Sequence, residues 1–255
     1  IDNDLDLPHG ICTFGFQTAR HVGVDITKNV MVDAKTTTRW YFLITMGRTA
    51  GHLALGIGNA AGATLTLIPE EFKEKKIPLQ KIVDILVGSI IKRISYGRPD
   101  GVAVIAEGLV EHLDEKDLQN LVDVERDEHD HIRIAEINFG EILKYKVQER
   151  LKEFGLKMTI VAKNIGYELR CADPIPFDME YCRDLGFMAA KFLLDGGSGA
   201  LVSVQDSMFV PMYFKDILDK KTKRMKVRMV DIKSESYYVA SRYMIRLRKE
   251  DFLDD

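Results

Sequence analysis

The sequence predicts an α/β fold, in which mostly parallel sheets are covered by helices on both faces. Two observations lead to this prediction. Short apolar runs rich in β-branched and aromatic residues alternate along the chain with longer segments whose apolar residues recur every three or four positions. Such alternation of strand and helix is typical of parallel sheets with right-handed crossovers. The 255 residues suffice for one large domain or two small ones with a substantial buried core.

Five segments are predicted to be strands because apolar and β-branched residues dominate them. The clearest is RWYFLITM at 39–46, which Gly47 ends and which therefore presents Arg48 in a loop. GVAVIA at 101–106 is followed directly by the polar residue Glu107. The predicted strands span 39–46, 63–69, 101–106, 158–163 and 199–204.

The predicted helices each carry one apolar face at helical spacing. The third begins at Pro78, where the missing N–H of proline costs nothing. By contrast, 118–132 is highly charged and weakly periodic, which indicates a surface excursion, and Pro174 and Pro176 predict an irregular connector at 173–177. The predicted helices span 14–34, 50–61, 78–94, 138–154, 179–194 and 234–244.

This fold class also predicts where a ligand binds. In open α/β sheets, ligands sit beyond the carboxyl ends of the strands. Arg48, Glu107 and the residues that follow Lys163 are all predicted to lie at that edge. We therefore expect a binding or catalytic site there.

Composition and charge exclude several classes of protein. Apolar residues make up 46% and charged residues 29%, which excludes a disordered chain, a fibrous repeat and a disulfide-stapled mini-protein. The formal net charge is −3 with no broad basic field, so we expect no nucleic-acid partner, although a local basic pocket for a phosphorylated small molecule stays open. No apolar run approaches the roughly 20 residues that span a bilayer, so no membrane segment is predicted.

Cysteine usage and the first residues bear on the cellular context. Cys12, Cys171 and Cys182 lie far apart without pairing or metal-ligand spacing, which favours an intracellular protein in which they are buried small hydrophobes.

The chain starts at Ile1, with neither a Met nor a signal peptide, and runs at once into an acidic motif. We expect it to be part of a longer protein.

The acidic motif has two interpretations. Asp2, Asn3, Asp4 and Asp6 put four polar side chains, three of them carboxylates, into six residues. They could form a solvated loop. Alternatively, one carboxylate takes a proton from a hydroxyl while the other orients Mg²⁺ or its waters, since both tasks need oxygen ligands held close together.

Arginines at the two ends of the strand 39–46 are further candidates. Met46, Gly47 and Arg48 follow its carboxyl end, where an arginine is well placed to hold a phosphoryl oxygen with two hydrogen bonds. Arg39, at the amino end, could serve a different contact or lie on the surface.

A third candidate follows the strand 158–163. Gly166 permits a sharp turn, and Tyr167 and Arg170, three residues apart, can both face one anion. The alternative is a loop with a structural tyrosine.

Two other clusters are interpreted as surface features. The run DEHDH at 127–131 resembles a metal cluster, but consecutive polar residues without apolar anchoring more often form a solvated loop. The basic run KKTKRMK at 220–226 contains no aromatic residue and is interpreted as a solvated face.

Taken together and in this order, the motifs resemble those of the phosphofructokinase family. The family carries its catalytic aspartate in a T-I-D-N-D motif, of which this chain has all but the threonine. The last two matching segments of this chain, at 166–178 and 242–252, are similar to the family's large pyrophosphate-type branch in particular. The matching segments are IDND at 1–4, TFGFQTA at 13–19, TMGRTAGHLAL at 45–55, AEG at 106–108, GYELRCADPIPFD at 166–178 and RYMIRLRKEDF at 242–252.

The resemblance implies a role for each candidate. It makes Asp2 the general base toward the C1 hydroxyl of fructose 6-phosphate, and Asp4 the second acidic residue, which influences Mg²⁺ and bound phosphates. It implies that Arg48 stabilises the transferring phosphoryl group. It implies that Glu107 accepts hydrogen bonds from sugar hydroxyls. The remaining substrate-binding residues implied by position are Ile1, Met46, Gly47, Lys163, Tyr167, Glu168, Leu169 and Arg170, with Arg39 reaching the site of a neighbouring subunit.

The resemblance further implies a phosphofructokinase domain over 1–255, with about 15–168 mainly binding fructose 6-phosphate. It implies Mg²⁺ as cofactor, a donor-binding part with the main Mg²⁺-associated aspartate upstream of Ile1, a homodimer or homotetramer with shared sites, and a cytoplasmic enzyme of glycolysis. Tyr167 stands where the small ATP-dependent branch has histidine, which argues against that branch and makes pyrophosphate the expected donor. The residues that decide the donor in this family are expected before Ile1, so an ATP-dependent member of the family stays open as the alternative.

Two readings from other classes stay open. One is a non-catalytic regulatory subunit of a related hetero-oligomer, which would be free to lose Asp2, Asp4 and Arg48, all present here. The other is a generic nucleotide-binding α/β module, which the absence of a G-x-G-x-x-G or P-loop motif disfavours.

Overall fold

The centre of the molecule is a sheet of four parallel strands. The computed structural model describes residues 1–8, 10–74, 76–121 and 138–252. The strands are β1 (Trp40–Thr45), β2 (Leu65–Leu67), β3 (Gly101–Ala106) and β4 (Ile160–Ile165), in the spatial order β2-β3-β1-β4. All three pairings between neighbours are parallel. The predicted α/β class with a mostly parallel sheet is confirmed.

Side chains of the central strands alternate between two cores, one on each face of the sheet. Trp40, Phe42 and Ile44 of β1 belong to one core, whereas Leu43 of the same strand belongs to the other. Because successive side chains of a strand point to opposite faces, a strand buried on both sides reads as a continuous apolar run. This is why 39–46 and 101–106 carry so few polar residues.

Helices cover both faces, as predicted. The helices α3 and α5 pack against the core that contains Trp40, and α1 and α2 pack against the core that contains Leu43. The nine helices of the described ranges are α1 (Phe16–Thr37), α2 (His52–Ala61), α3 (Leu79–Ser95), α4 (Glu115–Leu121), α5 (Phe139–Glu153), α6 (Tyr167–Arg170), α7 (Pro176–Leu194), α8 (Phe214–Ile217) and α9 (Glu235–Tyr243).

A hairpin stands apart from this sheet. The strands β5 (Ala200–Gln205) and β6 (Met208–Tyr213) pair antiparallel with each other and form a second, two-stranded sheet. The sequence predicted β5 but not β6, because Pro211 lies within it and proline is rare inside strands. Here Pro211 is paired opposite Val202 in a sheet of only two strands, where one side of β6 has no hydrogen-bonded neighbour among the described residues.

The helix α7 is held against the start of α1 by one buried carboxylate. Asp178 is 1% exposed, and its Oδ1 accepts a hydrogen bond from the backbone N–H of Gly15 at 2.7 Å. Its Oδ2 accepts from the N–H and the hydroxyl of Thr18 at 2.8 and 2.6 Å. A carboxylate at a helix N-terminus satisfies N–H groups that have no partner within the helix and matches the helix dipole.

The structure corrects two local predictions. The irregular connector predicted at 173–177 is shorter, because Pro176 occupies the first turn of α7, where proline is tolerated. Cys171 and Cys182 are exposed and Cys12 is half-buried, so the prediction of three buried cysteines is wrong. The reason is that the outer surface of α7, which carries Cys182, is exposed.

The remaining surface predictions have different outcomes. The basic run 220–226 is exposed apart from half-buried Met225, which confirms its interpretation as a solvated face. The run 127–131 and most of the excursion predicted at 118–132 lie outside the described residues. In the ranges that the structure describes, no helix combines the length and the apolar character needed to cross a bilayer.

Candidate active site

Three loops begin side by side at the carboxyl edge of the sheet. In the strand register, Thr45 of β1 lies opposite Ala106 of β3 on one side and Ile165 of β4 on the other. Adjacent strands are about 4.8 Å apart, so the loops that start at Met46, Glu107 and Gly166 emerge close together. The strand ends predicted to carry Arg48, Glu107 and Tyr167 therefore do converge on one edge.

The chain path makes the boundary between β1 and β3 the switch point of the sheet, where the connections diverge to opposite faces. After β1, helix α2 packs on one face of the sheet, whereas α5, the helix that leads into β4, packs on the opposite face. Where chains leave adjacent strands toward opposite faces, an open α/β sheet forms its ligand crevice. Arg48 lies in the loop after β1 and Glu107 directly after β3, so the two residues flank this switch point.

The turn after β1 is bonded to Glu107. The carboxylate oxygen Oε1 of Glu107 accepts hydrogen bonds from the backbone N–H groups of Gly47 and Arg48, at 3.0 and 3.1 Å. Arg48 itself has φ 45°, a left-handed conformation that is uncommon for residues other than glycine and that clusters at functional sites. The contact fixes the turn through one carboxylate oxygen of Glu107.

Gly108 permits the close approach of the two loops. A Cβ added at Gly108 would lie 1.9 Å from the backbone oxygen of Arg48. No side chain fits there unless the backbone moves. The sequence A-E-G thus supplies a carboxylate and, directly after it, the space that the neighbouring turn occupies.

The loop after β4 forms a single helical turn, α6. Tyr167 and Arg170 are at its two ends and share one face, three residues apart, and both are exposed, Tyr167 by 79%. Leu169 is 2% exposed and packs in the core, so its side chain is not available to a ligand. Gly166 lies against the side chain of Met46, with which a Cβ at Gly166 would make an ordinary contact at 3.9 Å.

Lys163 and Glu168 form a loose ion pair beside this turn. β4 extends two residues beyond the predicted end, so Lys163 lies within the strand, exposed, with its Nζ 4.0 Å from Oε1 of Glu168. The pKa of Glu168 lies below its usual value, first because its carboxylate accepts a hydrogen bond from its own backbone N–H, then because of the N–H of Gly166 and the charge of Lys163. Glu168 is therefore ionised near neutral pH.

The acidic segment at the start of the chain is held by a distant arginine. Asn3 accepts hydrogen bonds at its Oδ1 from the backbone N–H of Thr13 at 3.1 Å and from Nη2 of Arg228 at 2.6 Å. Asp2 and Asp4 are half-buried on either side of it. The Oδ1 atom of Asp2 is buried and has no hydrogen-bond partner among the described residues, which is unusual for a buried carboxylate oxygen.

The segment around Arg228 also contacts the start of α2. The backbone oxygen of Arg228 lies 2.8 Å from Nε2 of His52, and Oε1 of Glu70 bonds the N–H groups of Val230 and Gly51, both at 2.9 Å. Burial lowers the pKa of His52, and the charges of Glu70 and Asp4 act in the opposite direction. The acidic segment is thereby connected to the loop that contains Arg48.

Sequence reasoning missed Arg228, Glu70 and His52. Arg228 follows the basic run 220–226, which was interpreted as solvated, and nothing in its local sequence separates it from that run. The sequence carries no local signal for Arg228, because its guanidinium bonds Asn3 and the backbone oxygens of Leu7 and Ile11 and none of the three carboxylates. Among the predicted residues, Arg39 is not brought to the site, because it lies at the amino end of β1.

Comparison with known proteins identifies a family for this chain. The family model described as phosphofructokinase matches residues 1–193.

The chain belongs to the phosphofructokinase family.

Two curated relatives are similar over nearly the whole chain. The pyrophosphate–fructose 6-phosphate 1-phosphotransferase of Thermotoga maritima is 52% identical over 259 residues, covering 100% of this chain and 62% of the relative. The protein of the same name from Naegleria fowleri is 48% identical over 261 residues, covering 99% of this chain and 60% of the relative. The chain thus spans about three fifths of the length of these relatives.

Solved phosphofructokinase-family structures share the fold. The pyrophosphate-dependent phosphofructokinase of Marinobacter aquaeolei matches with a TM-score of 0.58 and 17% identity, covering 92% of this chain and 54% of that one. Phosphofructokinase from Saccharomyces cerevisiae matches with a TM-score of 0.55 and 21% identity, covering 83% and 24%. These likenesses support the phosphofructokinase-like α/β fold predicted from the sequence.

Proposed function

We propose that this protein is a pyrophosphate-dependent 6-phosphofructokinase, which transfers a phosphoryl group to the C1 hydroxyl of fructose 6-phosphate. The observation that carries the proposal is the pair of hydrogen bonds from the Met46–Gly47–Arg48 turn to Glu107, which joins two predicted substrate-binding motifs across the crevice. The names of relatives at 48% and 52% identity favour pyrophosphate over ATP as donor.

Asp2 is the proposed general base. Asp2 is half-buried and its carboxylate accepts no hydrogen bond from the described residues, so it can accept the proton of the C1 hydroxyl without first breaking a bond to the protein. As the proton leaves, the C1 oxygen attacks the phosphorus of the donor and the bond to the leaving phosphate breaks. With pyrophosphate, that leaving group is inorganic phosphate.

Mg²⁺ is the proposed cofactor, and the residues present fit it in part. Within the described ranges no three His, Cys, Asp or Glu side chains come together in a way that could hold a metal ion. Mg²⁺ is commonly bound through one or two carboxylates together with substrate phosphates, so Asp4 and the donor would suffice. When bound, Mg²⁺ supplies neutralisation of the phosphate charge.

Arg48 is the proposed stabiliser of the transferring phosphoryl group. Positioning and electrostatics carry most of the catalysis in phosphoryl transfer, and the bonds of Glu107 to the turn hold Arg48 at the crevice before substrate arrives. The second carboxylate oxygen of Glu107 remains for a sugar hydroxyl. Met46 and Gly47 would contact the sugar through this same turn, and Ile1 would do so beside Asp2.

The loop after β4 is proposed to bind the 6-phosphate. Tyr167 offers a hydroxyl and Arg170 a planar fork of N–H donors, and both are exposed on one face of α6. Lys163 adds a cation near the same turn. Glu168 and Leu169 would contribute through their backbone, because the first is ionised and the second is buried. The part of the domain that mainly binds fructose 6-phosphate is proposed to be about 15–168, with Leu169 and Arg170 directly after it.

Arg39 is proposed to act in a neighbouring subunit. The six residues of β1 span roughly 20 Å, so Arg39 and Arg48 lie at opposite edges of the sheet. A homodimer or homotetramer would let Arg39 complete the site of another copy. We propose the cytoplasm as the location, consistent with a glycolytic substrate.

The test is an assay of the whole gene product for fructose 1,6-bisphosphate formation. Fructose 6-phosphate and Mg²⁺ are supplied with pyrophosphate or with ATP in separate reactions. Turnover with pyrophosphate alone supports the proposal. Turnover with ATP alone keeps the family chemistry and overturns the donor assignment, and turnover with neither favours a regulatory subunit.

Asp2→Asn tests the general base within the same assay. The amide keeps the size of the side chain but cannot take the proton. We expect kcat to fall by about 10²- to 10⁴-fold, with the KM for fructose 6-phosphate changed far less. A variant with wild-type kcat would remove Asp2 from this role.

A further inference from the structure

Arg228 makes an unusual number of hydrogen bonds to the first residues of the chain. Its Nε and Nη2 donate to the backbone oxygen of Asn3, at 3.3 and 3.1 Å, and Nη2 also donates to Oδ1 of Asn3 at 2.6 Å. Its Nη1 donates to the backbone oxygens of Leu7 and Ile11, at 3.3 and 3.1 Å. All three guanidinium nitrogens are therefore used to hold one segment.

Backbone contacts of Arg228 and its neighbour hold the same segment. The N–H of Arg228 donates to the backbone oxygen of Asp4 at 2.7 Å, and the adjacent Val227 pairs antiparallel with Leu5. The segments that meet here are more than 220 residues apart in the chain. This junction therefore holds the backbone at Asn3 and Asp4, next to the carboxylates of Asp2 and Asp4.

The conformation of Asn3 shows what the junction accomplishes. Asn3 has φ 58°, in the left-handed region that asparagine tolerates better than most residues but that still needs support. The support comes from Arg228 and from the N–H of Thr13, which hold the side chain and the carbonyl group of Asn3. With Asn3 fixed, the directions in which Asp2 and Asp4 leave the backbone are fixed as well.

The junction also reaches the turn that carries Arg48. The backbone oxygen of Arg228 contacts His52, the first residue of α2. Glu70 bonds both Val230 and Gly51, the residue before α2. One short segment thus connects the two parts of the proposed site that come from different ends of the domain.

We propose that Arg228 is a positioning residue, which sets the location of the Asp2 carboxylate relative to the loop of Arg48. The inference rests on the proposed function, in which Asp2 takes the proton. Arg228 bonds neither α6 nor Lys163, where the 6-phosphate is proposed to bind. Its removal should therefore lower kcat and leave the KM for fructose 6-phosphate nearly unchanged.

Arg228→Lys in the whole gene product is the test, with Arg224→Lys as its matched control. Lysine keeps the charge but cannot reach three backbone oxygens from three nitrogens. We expect kcat to fall by about 10- to 100-fold, since a misplacement of about 1 Å can cost 10²-fold, while the KM stays within about threefold. Arg224 is exposed in the same basic stretch, and among the described residues only its backbone is hydrogen-bonded, so Arg224→Lys should behave as wild type.

The pH dependence of kcat separates positioning from electrostatics. Because the charge is retained in Arg228→Lys, the acidic limb of the kcat profile should keep its midpoint while the plateau falls. Wild-type kcat in Arg228→Lys would show that only the charge matters and would overturn the proposal. A loss of melting temperature with kcat and KM changed together would also overturn it, since that is the signature of general damage.

A second variant covers the case in which Arg228→Lys does not fold. Asn3→Gly accepts the left-handed backbone and removes the 2.6 Å contact to Nη2, so it should give the same lowered kcat with an unchanged KM. Unchanged kcat in Asn3→Gly would count against positioning through Asn3. Asp2→Asn, measured in parallel, keeps the two hypotheses apart. If Asp2→Asn retains kcat, the base assignment fails, and if only the Arg228 and Asn3 variants retain kcat, the positioning role alone fails.

Discussion

Gly108 offers a direct test of the contact between the two substrate loops, through the substitution Gly108→Ala. The added methyl group would lie 1.9 Å from the backbone oxygen of Arg48 and 3.0 Å from its carbonyl carbon. These are backbone atoms, so no side-chain rotation can relieve the clash. The turn that carries Arg48 must move, or the segment that carries Glu107 must.

The size of the movement follows from the same distance. Carbon atoms at Cβ essentially never approach another heavy atom closer than 3.0 Å, so the separation must grow by more than 1 Å. That shift breaks or lengthens the two hydrogen bonds from Glu107 to the turn. We expect kcat to fall by about 100-fold because of the displaced Arg48 and the free energy of unfolding to fall by about 1–3 kcal/mol because of overpacking.

The measurement is steady-state kinetics of the whole gene product together with thermal unfolding, with Gly186→Ala as control. Gly186 lies in the exposed middle of α7, and a Cβ there meets no atom within 4 Å. Alanine at that position should leave kcat unchanged and stabilise the helix by up to about 1 kcal/mol. A Gly108→Ala protein with kcat within twofold of wild type would refute the argument that this close approach positions Arg48.

Three further predictions concern binding, stability and pH. Arg170→Met should raise the KM for fructose 6-phosphate by about 30-fold or more, with a smaller effect on kcat, because charge-assisted hydrogen bonds to the 6-phosphate are lost. An unchanged KM would contradict the proposal that Arg170 binds the 6-phosphate. Glu71→Ala should lower the free energy of unfolding in urea by about 2–4 kcal/mol, because the side chain of Glu71 is only 6% exposed and accepts hydrogen bonds from Arg246 and Tyr237. Glu71→Gln should lose less, and equal losses would argue against those bonds. Burial lowers the pKa of His52 in the folded protein, so as the pH drops the unfolded chain binds a proton there before the folded protein does. The free energy of unfolding should therefore fall as the pH drops below about 6.5, by at most about 1.4 kcal/mol per pH unit from this group. His52→Gln should reduce that slope, and an identical pH dependence in the two proteins would exclude His52 as its source.

The strands buried on both faces were the easiest part of the fold to predict. The bounds of β3 coincide with the prediction, and those of β1 differ by one residue at each end, because continuous apolar runs have no other stable location. The strand β4 was placed two residues too early. It is an edge strand of the described sheet, so it tolerates Lys163 and Asn164, whose polarity hid its true end.

Some residues of the site were predicted from the sequence and others were not. Arg48 and Glu107 were expected at strand ends because each directly follows an apolar run, and the structure joins them through hydrogen bonds. Arg228 and Glu70 were not expected, since both act on backbone groups far away in the chain. A hydrogen bond to a distant backbone oxygen leaves no local pattern in the sequence.

By itself, the sequence determined the fold class, the order of the main elements and which strand ends carry chemically useful side chains, because periodicity and the residues that interrupt it are local properties. Tertiary structure decided which of these ends lie side by side at one edge of the sheet, which oxygen of Glu107 bonds the turn after β1 and which arginine holds the acidic segment. Those outcomes depend on strand order and on contacts between residues as far apart as Asn3 and Arg228, and such contacts form only when the sheet and its covering helices assemble.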